Sequence, residues 1–95
     1  MFRRKWFSGT IVSDEGFSVR FSSRTSVQYS DEAGTAFVSC EMPSGRECVL
    51  YANQPMRAGA TNGPTIKDVT RTKMITERVV AAAQFAGVAI EVDFS

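Results

Sequence analysis

The sequence predicts an α+β fold: an antiparallel meander of about five strands, one C-terminal α-helix over about 65–86 packed on one face, and a final strand over about 88–94. Three observations carry this reading. Polar tips ending in glycine separate short apolar-alternating runs in the first half, a helical apolar stripe runs through Ile75 to Ala86, and strict alternation follows Gly87. At 95 residues, 43% hydrophobic and 22% charged, the composition is that of a single globular domain, 1–95, with one core.

Ser13-Asp14-Glu15-Gly16-Phe17, Ser30-Asp31-Glu32-Ala33-Gly34-Thr35 and Met42-Pro43-Ser44-Gly45-Arg46 read as hairpin loops in which glycine supplies a positive φ. The first loop sets Ile11 opposite Val19 and Gly9 opposite Phe21, so that Phe7 and Ile11 share a face with Phe17, Val19 and Phe21. The second sets Tyr29 opposite Ala36 and Val27 opposite Val38. The third sets Cys40 opposite Cys48, Val38 opposite Leu50 and Phe37 opposite Tyr51. Each register gathers apolar residues on one face, which a one-residue slip would scramble. The link Ser22-Ser23-Arg24-Thr25-Ser26 reads either as a longer hairpin loop or as a break that lets the third strand pair elsewhere.

From Ala52 to Pro64 periodicity disappears among Asn53, Pro55, Gly59, Asn62, Gly63 and Pro64, which argues against a strand there and for a functional loop or a crossover. Thr65-Ile66-Lys67-Asp68 then offers a threonine N-cap with an acidic residue three positions on. Ile75, Val79, Ala82, Ala83 and Ala86 recur at helical spacing, with Lys67, Arg71, Lys73, Glu77 and Arg78 largely off that stripe. Gly87 ends the helix as its C′ residue and Val88 makes the accompanying apolar contact. Val88, Ile90, Val92 and Phe94 alternate with Ala89, Glu91 and Asp93 as a half-buried strand.

The chain contains no histidine, which removes His-dependent triads and most catalytic zinc sites, and its two cysteines cannot complete a structural zinc site. The acidic residues fall at loop tips (Asp14, Glu15, Asp31, Glu32) or on outward strand positions (Glu41, Glu47, Glu91, Asp93), where solvated charge is the expected role. A protein without enzymatic activity, metal or cofactor is therefore expected. Cys40 and Cys48 read as buried thiols serving as small hydrophobes, with a cross-strand disulfide as the alternative. No apolar run of roughly 7–15 residues follows Arg3-Arg4-Lys5, and nothing approaches the roughly 20 apolar residues of a membrane span. The expectation is a cytoplasmic protein that does not engage membranes.

The C-terminal half resembles a family of small predicted immunity proteins of bacterial toxin–immunity systems. The resemblance rests on Tyr51 at a strand end, Pro64 in the following loop and Ile66 near the helix start. It continues through Ala82-Ala83-Gln84-Phe85-Ala86-Gly87 and the apolar strand Val88 to Val92, and Tyr29 fits loosely. Met56 and Arg57 stand where that family carries a tryptophan. The resemblance implies a non-enzymatic protein that binds and neutralises a toxin domain. From the residues themselves, Phe37 and Tyr51 on the outer sheet face, Met56 and Arg57 in the long loop, and Trp6 are the expected partner contacts. Two alternatives stand beside this. Arg3, Arg4, Lys5 and Trp6 mix cations with an aromatic, which would suit a single-stranded nucleic acid; a homodimeric accessory or structural protein would instead close the outer sheet face on itself.

Overall fold

The computed structural model describes residues 2–4, 10–21, 23–44 and 46–93. Expectations resting on Lys5, Trp6, Phe7, Gly9, Gly45 and Phe94 lie outside the described residues.

Eight strands and one helix follow in the order β1 (Phe2–Arg4), β2 (Thr10–Ser13), β3 (Phe17–Arg20), β4 (Ser26–Asp31), β5 (Gly34–Ser44), β6 (Glu47–Tyr51), β7 (Arg57–Ala58), α1 (Val69–Phe85) and β8 (Ala89–Asp93). The sheet order is β1-β2-β3-β4-β5-β6-β8, antiparallel through β6 and parallel between β6 and β8, with β7 pairing to β5. The fold is α+β with one C-terminal helix, and its sheet is larger than the expected five-stranded meander.

The first two registers hold: Ile11 faces Val19, Val27 faces Val38 and Tyr29 faces Ala36. The link after β3 is a longer hairpin loop, since β3 and β4 pair from Phe17↔Asp31 to Arg20↔Gln28. Ser23 Oγ stabilises that loop by accepting from the Thr25 and Ser26 amides. The third register differs. Cys40 faces Leu50 rather than Cys48, and the pairing shifts between Glu41 and Ser44. Pro43 lies inside that irregularity, where a residue without an N–H loses no ladder bond. A shift of two residues keeps every side chain on its expected face, so Cys40 and Cys48 remain buried, and both are free thiols. It does separate Phe37 from Tyr51: Phe37 faces Gln28 on β4 and Arg57 on β7, so no Phe37–Tyr51 cross-strand pair exists.

The 52–64 segment contains a strand after all. β7 aligns Arg57 with Phe37 and Ala58 with Ala36 on the half of β5 that β6 leaves uncovered. The Ala58 amide donates to the Pro64 carbonyl, and a Cβ on Gly63 would overlap the Ala58 carbonyl, so only glycine fits that close approach.

The helix starts four residues later than expected. Thr65 is bridged to Arg57 and the Ile66 amide donates to the Met56 carbonyl, so this backbone is committed to the loop. Asp68 becomes the N-cap, with its carboxylate accepting from the Arg71 amide at 3.2 Å. At the other end Gly87 has φ +77°, its amide donates to the Gln84 carbonyl, and the Val88 amide donates to the Ala83 carbonyl. These two bonds form a Schellman cap, as the Ala-Gly-Val sequence predicts. Because a Cβ at Gly87 meets nothing within 4 Å, its replacement by alanine carries only the left-handed backbone penalty. Gly87→Ala is expected to cost about 1 kcal/mol in urea unfolding.

Ile75, Val79 and Ala82 of α1 are buried against Val19, Val27, Val38, Leu50 and their neighbours in one core cluster, and Ala83 is buried beside them on the helix. The sheet curls around the helix, and an aromatic run closes the curl. Phe2 packs on both Phe17 and Phe85 at 5.7 Å between ring centroids, and Phe17 packs on Tyr29 at 5.8 Å.

Candidate protein-docking groove

The long loop leaves β6 at Tyr51 and turns with the Gln54 amide donating to the Tyr51 carbonyl. Pro55 follows, and Met56 drops into the core at 4% exposure. Arg57 points the other way and holds the far side of the loop, donating to Thr65 Oγ1 at 3.1 Å and to the Gly63 carbonyl at 3.4 Å. With the β7 ladder, these bonds clamp the loop to the sheet. The clamped loop forms one wall of a groove whose other wall is the N-terminal half of α1.

That groove encloses about 590 Å³ and is lined by residues 52–56, Thr65, Ile66, Val69, Thr72, Lys73, Thr76 and Glu77. Ala52, Pro55, Met56, Ile66 and Val69 make it largely apolar, while Lys73 and Glu77 place one charge of each sign along the helix. Val69 is 77% exposed and extends the apolar lining of the groove to its border. A concave apolar surface bordered by a few polar groups suits an apolar anchor from another protein.

The expected contact residues are distributed over three places. Met56 lines this groove as a buried side chain, not as a loop-tip contact. Phe37 and Arg57 meet on the opposite sheet face, in a smaller depression of about 330 Å³ shared with the hydroxyl-bearing Ser23, Thr25, Ser26, Ser39 and Thr61. Tyr51 stands apart, its hydroxyl donating to Glu41 at 2.7 Å, which pushes the phenol pKa up. Trp6 and Lys5 lie outside the described residues, Arg3 is exposed on the edge strand β1, and Arg4 pairs in the ladder opposite Ile11.

One constellation went unrecognised in the sequence. Asp31 is not a solvated loop-tip carboxylate: its side chain is 7% exposed. It accepts from Arg71 through both guanidinium nitrogens at 3.0 and 3.1 Å, from the Tyr29 hydroxyl at 2.7 Å and from the Ala33 amide at 2.9 Å. Arg78 donates to the Tyr29 hydroxyl at 2.7 Å and lies over the Phe17 ring at 4.5 Å. The bidentate Arg71 bonds are the main reason the Asp31 pKa is lowered to about 2. Burial and the bond to Asp31 push the Tyr29 phenol up. The spacing of Arg71 and Arg78, two helical turns apart beside Ile75, was the available signal. This network staples helix to sheet. Its strongest donors and acceptors face one another across the helix–sheet junction.

Among the described residues no group of three or more Cys, Asp or Glu side chains is placed to hold a metal ion. No helix among them is long and apolar enough to cross a membrane. Fold and groove together define a class: an α+β protein whose curled sheet holds one helix and whose clamped loop opens a largely apolar groove. Set against protein-family models, curated proteins and solved structures, the chain matches none.

Proposed function

We propose that this chain is a non-enzymatic, cytoplasmic protein-binding module. Following the resemblance of its C-terminal half, we take it as an immunity protein that neutralises a bacterial toxin domain. The observation that carries the binding reading is the groove between the Ala52–Met56 loop and α1, with Val69 held exposed at its border. Immobilising that loop before binding lowers the ordering cost of association.

Val69→Glu tests the reading. Residue 69 is the first residue of the helix, where a carboxylate interacts favourably with the helix dipole, so the unfolding midpoint should stay within about 0.5 kcal/mol of wild type. Co-expression with the product of the adjacent gene, followed by titration calorimetry, should show a complex that Val69→Glu weakens at least tenfold, about 1.4 kcal/mol. Failure to form any complex, or equal affinity for both chains, would remove the groove from the account.

A further inference from the structure

The sheet path ends at β8, and the alternation of its ladder identifies the backbone groups left over. Ala89 donates its amide to the Arg46 carbonyl, and the Asp93 carbonyl accepts from the Ala52 amide. In a parallel ladder those odd-numbered residues face β6, so the N–H and C=O groups of Ile90 and Val92 point outward from the free edge. Among the described residues nothing bonds to them. Both side chains are half-buried on the core face, so the edge pairs free ladder groups with an apolar side. Glu91 stands exposed on the outer face of the same strand, and Val49↔Glu91 places it beside an apolar residue of β6.

We propose that this edge takes an extended segment of another protein as an added strand, one carrying basic residues on the outer face and apolar residues on the core face. This rests on the protein-binding reading and deepens it by naming the chemistry of what is bound. Main-chain ladder bonds to Ile90 and Val92 supply the pairing, and a cross-strand pair with Glu91 selects a basic residue opposite it. A second copy of this chain is a poor occupant. Antiparallel self-pairing of Ile90 with Val92, the register that uses both free residues, sets Glu91 directly against Glu91 of the other copy. Like charges directly opposite destabilise such pairs. The shift that sets Ile90 against Ile90 avoids this but leaves Val92 opposite Val88, whose amide is already bonded to the Ala83 carbonyl. The edge is also continuous with the groove, because Ala52 both bonds Asp93 and lines it.

The test is an NMR titration of the full chain at low salt with two end-blocked peptides of about seven residues, one alternating valine with lysine and one valine with glutamate. The lysine peptide should saturably shift the Ile90 and Val92 amide signals and bind at least about tenfold tighter than its glutamate counterpart. Glu91→Lys should abolish that preference. The Val69→Glu chain should respond like wild type, so failure of the edge and failure of the groove are read separately. No shift at Ile90 and Val92, or an equal response to both peptides, overturns the proposal. Concentration-dependent shifts of those two amides without peptide also overturn it, because they would show self-pairing.

Discussion

Asp31→Asn is expected to lower stability by about 3 kcal/mol in urea unfolding at pH 7, the lower end of the range for breaking a buried ion pair. Asparagine can still accept from the Tyr29 hydroxyl and the Ala33 amide, but the charge facing Arg71 and Arg78 is gone. Those arginine side chains are 23% and 29% exposed, so water recovers part of the loss. The pH dependence has a definite sign. Arg71 holds the folded Asp31 pKa at about 2, below its ordinary 3.8, so the unfolded chain takes up the proton first as pH falls. The contribution of this group is therefore complete above about pH 5 and disappears as pH falls through about 4 to 2, amounting to about 2 kcal/mol. Asp31→Asn should remove that limb of the stability profile, and an unaltered acid limb would contradict the staple.

Leu50→Ala is expected to cost about 3 kcal/mol, with the unfolding midpoint falling by about 12–24 °C. Leu50 is fully buried on β6, facing Cys40 on one side and Val92 on the other, beneath the helix. Its removal opens a cavity where the antiparallel and parallel parts of the sheet join. If β8 did not pair with β6, truncation would leave the β8 amides undisturbed. Increased hydrogen exchange in the variant at Glu91 and Asp93, the residues whose amides face β6, is the expected signature of the observed pairing.

The parts of the fold that were legible in the sequence are local ones. The turn around Gly16, the Val27–Val38 pairing and the Gly87 cap depend on residues close in sequence and on constraints that few residue types satisfy. The third register departs at the turn, where Ser44 pairs with Glu47 instead of standing at the tip; the irregularity between Glu41 and Ser44 then takes back one residue, and the net shift of two leaves the apolar faces unchanged. β7 escaped notice because two residues have no periodicity; its existence depends on the uncovered half of β5. The parallel pairing of β8 to β6 follows from the path of the chain through α1 and leaves no mark on the alternation of either strand. At the candidate site, the loss of periodicity from Ala52 to Pro64 marks the loop as a surface of interest, but it does not show that Met56 anchors the loop in the core instead of presenting a contact. Val69 and the groove opposite it could not be seen, since they require the helix to begin at 69. Asp31 was hidden by its position beside a turn, where carboxylates are ordinarily solvated; its partners lie 40 and 47 positions further along the chain.

The proposed contact surface is made of the clamped loop, the exposed end of the helix and the outer edge of β8. Amide hydrogen exchange of the chain, alone and with the product of the adjacent gene, tests that surface most directly. Slowed exchange is expected at Ala52–Met56, along Val69–Glu77 and at Ile90 and Val92, with the Ser-rich face around Ser26 and Ser39 unchanged. Protection confined to that opposite face, or no protection anywhere, would contradict it.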